Sequence, residues 1–150
     1  MRGSRPTAVR QTQYDYLWVI AAACPDTGAA AGIIMPHLDT ATINLFLGEF
    51  SRQVAPDVQA VLIWDNAGHH VGGGLVVPES VSLIGLLPYS PELNPVENLW
   101  HYLRSHHWSN REYGSYQGLQ EEAIRSVCAV CQDAEKLKAI CNADYVKPRA

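Results

Sequence analysis

Two stretches decide the fold: Leu62–His70, LIWDNAGHH, and Pro88–Trp100, PYSPELNPVENLW. The first closes an apolar run, Ala60 to Trp64, on Asp65. Five apolar residues without alternation read as a strand buried on both faces by helices. Asp65 then stands at the carboxyl end of that strand, where loops leave an open α/β sheet and ligands converge. The second stretch starts a helix: Pro88, Pro91 and Pro95 hold the approach extended, Asn94 suits the N-cap and Pro95 the first helical position. Val96, Leu99, Trp100 and Leu103 form the buried stripe of this helix, beside a polar stripe of Glu97, His101 and Arg104. One carboxylate at a strand end and another in the first turn of a helix are placed to share a metal ion.

Working outward, Tyr16–Cys24 is apolar and β-prone, Pro25–Gly28 is a turn, and Ala31–Met35 returns as a second strand, which makes a hairpin. Asp39 or Thr40 caps a helix whose apolar positions Ile43, Phe46, Leu47 and Phe50 follow the i, i+3, i+4, i+7 pattern, and Pro56 bounds its end. Gly68–Gly74 is a glycine-rich loop, and Val81–Leu87 supplies another buried strand. From Tyr116 to Cys141 the pattern is helical with a break near Asp133, and Leu119, Ala123, Ile124, Val127, Leu137 and Ile140 face inward. The order is strand, strand, helix, strand, strand, helix, helix, an α/β arrangement.

The chain has 150 residues, 47% hydrophobic, enough to bury a core without disulfide staples. No apolar run approaches the roughly 20 residues that span a bilayer, and the first residues are not signal-like, so the expected location is the cytoplasm, with no membrane partner. Charge is unevenly spread around a net of -4: between Gln11 and Leu103 Arg52 is the sole basic residue, against nine acids. The remaining cations lie in Arg2, Arg5 and Arg10 and beyond Leu103, so a phosphate-binding surface must be built from the two ends. Cys24, Cys128, Cys131 and Cys141 include a single C-x-x-C. Structural zinc needs four ligands, and Cys128 and Cys131 fall on a helix face with Ile124 and Val127, so they read as buried small hydrophobes.

Each acid also has a purely structural use. Asp65-Asn66 before a glycine is ordinary turn chemistry, and Asn94-Pro95-Val96-Glu97 is a capping-box arrangement in which Glu97 reaches back to the cap. The longer strings argue otherwise. Asp65, Asn66 and His70 resemble the Asp-Asn-x-x-x-His segment of mariner-like and related bacterial insertion-sequence transposases. SPELNPVENLW, Ser90–Trp100, resembles the Ser-Pro-Asp-Leu-Asn-Pro-Ile-Glu-x-x-Trp signature of the same DDE superfamily, with conservative changes at Glu92 and Val96.

That resemblance implies an RNase H-like mixed sheet flanked by helices and a catalytic domain that hydrolyses DNA phosphodiesters and transfers strands. It implies Mg²⁺ (or Mn²⁺) as cofactor, DNA (transposon ends and target) as partner, and Asp65 and Glu97 as catalytic metal ligands. Asn66 and His70 match supporting positions; His69 matches none. RGSRP, Arg2–Pro6, resembles the linker after the family's first catalytic strand, and Tyr14–Met35 the hairpin that follows. On this alignment residues 1–13 are a basic arm or linker and 14–150 a partial catalytic domain lacking the family's first strand and its Asp, since neither Asp15 nor Asp39 sits where that acid belongs. The chain alone is then expected to be inactive, and a homodimer partner or a complementing N-terminal segment would fill the sheet. Two other readings stay open: a non-catalytic module that binds a partner through an open sheet edge, and an unrelated metal hydrolase using Asp65, His70 and Glu97.

Overall fold

In the computed structural model the described residues are 15–65, 74–87, 90–109 and 111–142. They form a mixed α/β structure whose strands divide into two two-stranded sheets. Strands β1 (Trp18–Ala23) and β2 (Ala30–Met35) pair antiparallel, Trp18 opposite Met35 and Ala23 opposite Ala30. Strands β3 (Ala60–Trp64) and β4 (Val81–Gly85) pair parallel, Ala60 opposite Val81 and Trp64 opposite Gly85. The expected basic arm and the loop containing Asn66 and His70 lie outside the described residues.

The hairpin turn depends on Gly28. Its φ of 73° is left-handed, and a Cβ there would lie 2.3 Å from the Ala134 carbonyl oxygen, so glycine is required for both conformation and space. Helix α1 (Thr40–Gln53) begins at Asp39, whose carboxylate accepts the Thr42 N–H at 2.8 Å. Its face of Ile43, Phe46 and Leu47 packs on Ile20, Ala22 and Ile33 of the hairpin and on Leu62, Trp64 and Leu83 of the second sheet. One helix thus floors both sheets.

Among the described residues, only the hairpin is covered on its other face. There Val19, Ala23, Ala30 and Ile34 meet a cluster built from α2 (Val96–Leu103), α3 (Tyr116–Cys131) and α4 (Ala134–Ile140), with Leu99, Leu103 and Leu137 fully buried. The second sheet departs from expectation: β3 and β4 are not buried on both faces, since Val61, Ile63 and Ile84 are 56%, 54% and 53% exposed. An apolar run records what a strand can bury, and among the described residues no helix lies on that face.

Two details of the helical layer also differ. Ile124 is exposed, as is Cys128, because the inward face of α3 runs through Ala123, Ser126, Val127 and Val130. Ser126 is wholly buried; it accepts the Trp108 indole N–H at 2.9 Å and donates to the Glu122 carbonyl at 2.7 Å, which satisfies a polar group that the apolar pattern hides. The helical break falls where expected, with the Asp133 carboxylate accepting the Lys136 N–H at 3.0 Å to start α4.

Candidate active site

Asp65 follows β3 directly. The parallel ladder runs up to it, because the Leu86 N–H donates to the Trp64 carbonyl at 2.8 Å, which fixes the backbone from which Asp65 departs. Asn44 of α1 donates to the Gly74 carbonyl at 2.9 Å and accepts the Val76 N–H at 2.8 Å. That clasp was not legible in the sequence, since Asn44 lies on a helix between apolar positions and its partners are 30 and 32 residues away.

Glu97 sits in the first turn of α2. A single 3₁₀ turn, Pro91–Leu93, leads in, and α2 proper begins at Val96, one residue after the expected start. The capping chemistry is nonetheless that of Asn94, whose side-chain oxygen accepts the Val96 N–H at 3.2 Å. The Asn94 N–H donates to the Pro91 carbonyl at 2.9 Å. A capping box is therefore unnecessary: the Glu97 N–H donates to the Asn94 carbonyl at 3.0 Å, and its carboxylate makes no hydrogen bond or ion pair among the described residues. It is half-buried and turned to a groove.

That groove, about 1120 Å³, is walled by the whole length of β1 on one side and of β3 on the other, with α1 as its floor and both Asp65 and Glu97 in its lining. The structure thus brings these two acids to one space. Among the described residues no third His, Cys, Asp or Glu joins them in a metal-holding group. Two carboxylates are hard oxygen donors, the ligand type that Mg²⁺ and Mn²⁺ prefer, with water completing the shell. The donor set therefore fits a weakly held hard cation and does not fit structural zinc.

Beyond α2 the helix widens into one π turn, Arg104–Trp108, closed by the Ser109 N–H on the Arg104 carbonyl at 2.9 Å. Sequence spacing gave no sign of it. The wider turn carries Trp108 inward to Ser126. Nearby, Glu122 binds both Arg111 at 3.3 Å and Arg125 at 2.6 Å, and the Arg125 hydrogen bond holds its carboxyl below the usual range. Lys136 and Lys138 pair with Asp133 and Glu135. Arg104 is the described cation beyond Leu103 that has no acidic partner among the described residues, and its Nε donates to the Trp100 carbonyl at 3.2 Å.

The family described as DDE superfamily endonuclease matches residues 1–120. The chain is also similar to "Uncharacterized protein y4pE/y4sA" of Sinorhizobium fredii (strain NBRC 101917 / NGR234), 41% identical over 114 residues that cover 76% of this chain and 82% of that protein. No solved structure matches it. Paired strands floored and flanked by helices, with an acid at a strand end and another at a helix start, agree with the RNase H-like architecture of such domains. The chain belongs to the DDE superfamily endonuclease family.

Proposed function

We propose that the chain is the catalytic-domain portion of an insertion-sequence transposase, hydrolysing DNA phosphodiester bonds and transferring strands with Mg²⁺ or Mn²⁺. The observation that carries this reading is the groove shared by Asp65, at the end of a parallel strand, and Glu97, in the first turn of α2. A divalent ion bound there would supply charge stabilisation for the oxygens around the phosphorus. Asp65 and Glu97 would hold such an ion from opposite elements, one fixed by the β3–β4 ladder and the other by the Asn94 cap. Asn66 and His70, which match supporting positions of the motif, would assist these ligands. Residues 1–13 serve as linker, 14–150 as the partial domain, and the DNA substrate places the work in the cytoplasm.

The site is completed by a strand. Strand β1 pairs with β2 and β3 with β4, and β1 and β3 border the groove from its two sides. An extended segment of six residues, roughly 20 Å at about 3.3 Å per residue, matches the length of β1. Such a complementing segment, carrying an acid, supplies the third ligand.

The test is Mg²⁺-dependent nicking of plasmid DNA by the 150-residue chain and by a version extended at its N-terminus with an Asp-bearing strand. The expected result is weak or absent cleavage by the first and cleavage by the second, lost in Asp65→Asn and Glu97→Gln. Robust cleavage by the unextended chain would overturn the need for a strand, and no cleavage by either would overturn the nuclease reading. A second reading, a non-catalytic module that binds a partner chain, is favoured by the bare apolar face of β3 and β4.

A further inference from the structure

A second cavity, about 490 Å³, adjoins the groove along α2 and shares Val19, Glu97 and Trp100 with it. Its size lies within the roughly 300–1,000 Å³ of small-molecule sites. The wall is aromatic: Tyr16, Trp100, Trp108 and Tyr113 contribute, with Asp15 and Arg104 as exposed charged members. Trp108 is held in place by its indole bond to buried Ser126.

We infer that this cavity holds one unstacked nucleobase of the DNA substrate, adjacent to the scissile phosphate. The inference rests on the nuclease reading for its biological ligand, and on the cavity itself for its chemistry. Aromatic faces accept any base by stacking. Arg104, which has no acidic partner among the described residues, is the cation for the attached phosphate. The acid Asp15 accepts from the N–H donor that every base carries on its pairing edge. Because Glu97 belongs to both spaces, a base seated here sets its own phosphate beside the acidic groove. Base stacking in the cavity thereby positions the backbone in the adjoining groove.

The test is an NMR titration of the metal-free 150-residue chain with 2′-deoxyadenosine 5′-monophosphate and, separately, with 2-deoxyribose 5-phosphate, reading the indole N–H signals. Trp18 and Trp64 line the groove and not this cavity, so they are internal controls. The mononucleotide is expected to shift Trp108 saturably and leave Trp64 in place, while the sugar phosphate moves neither. Tyr16 is 64% exposed, so Tyr16→Ala leaves the fold intact and should weaken the mononucleotide about fivefold or more. Arg104→Gln should weaken it as well. Equal responses to the two ligands, a shift of Trp64 as large as that of Trp108, or an unchanged titration in Tyr16→Ala would each overturn the inference. Because no metal and no cleavage enter this experiment, failure of the nuclease reading appears in the nicking assay and failure of the base pocket appears here.

Discussion

Strand β1 gives Val19 and Ala23 to one helical layer and Ile20 and Ala22 to the other, whereas β3 hides Leu62 and Trp64 under α1 and leaves Val61 and Ile63 largely exposed. The two strands are equally apolar. What separates them is the reach of the layer made by α2, α3 and α4, which covers the hairpin and stops short of the second sheet. Burial is a property of the layer that a strand meets, and composition alone does not reveal it. The same boundary creates the groove, because the candidate site lies where the covered sheet ends and the half-covered one begins.

The comparison is broken or sharpened first by stability. Leu99→Ala or Leu137→Ala, in the layer over the hairpin, should each cost about 2–5 kcal/mol in urea unfolding, since both side chains are fully buried. Gly28→Ala should cost about 1–3 kcal/mol from its positive φ alone, and the approach of the Ala134 carbonyl adds to this. By contrast, Ile63→Thr on the bare face should stay within about 0.5 kcal/mol of the parent. A cost for Ile63→Thr matching that of Leu99→Ala would mean that the second sheet is covered after all.

Cysteine reactivity draws the same line chemically. Burial pushes the Cys141 thiol up to about 11, and it is fully enclosed, whereas Cys128 is exposed on α3. Iodoacetamide at pH 8, followed by mass spectrometry, should label Cys128 readily and Cys141 only after denaturant is added. Early labelling of Cys141 would show that the layer over the hairpin opens.

The smallest expected effect concerns the floor shared by both sheets. The Thr42 backbone N–H, followed by its side chain, holds the Asp39 carboxyl below the usual range. Asp39 therefore contributes stability above the ordinary carboxylate pKa, and that contribution is lost as pH falls through the lowered folded value, below about pH 4. Asp39→Asn keeps a good N-cap and should flatten this part of the acid limb. An unchanged acid limb would rule out the Asp39 contribution.

The hairpin, α1, both later strands, the start of α2 and the break at Asp133 were legible because local signals agree with tertiary placement: a Pro-Asp-Thr-Gly turn, a capping Asp and a 3.6-residue apolar stripe. The inward face of α3 was misread by one step. Ser126 occupies a core position that hydropathy assigns to solvent, and Ile124 takes the exposed one. The bare face of β3 and β4 was illegible because it depends on elements distant in the chain. The placement of Asp65 directly after β3 and of Glu97 in the first turn of α2 was readable from motif and spacing, and their common groove follows from strand and helix order. The Asn44 clasp, the π turn and the aromatic cavity were not readable, since each depends on side chains meeting across long separations or on a helix hydrogen-bond shift that leaves no mark in sequence.

The account stands most directly on whether Asp65 and Glu97 hold one cation between them. Titrating the ¹⁵N-labelled chain with Mn²⁺ and reading paramagnetic broadening tests it without any cleavage. Broadening should be weak in affinity, strongest at Asp65 and at Val96–Asn98, and abolished by Asp65→Asn and by Glu97→Gln. Broadening centred elsewhere, or unchanged in either variant, would contradict it.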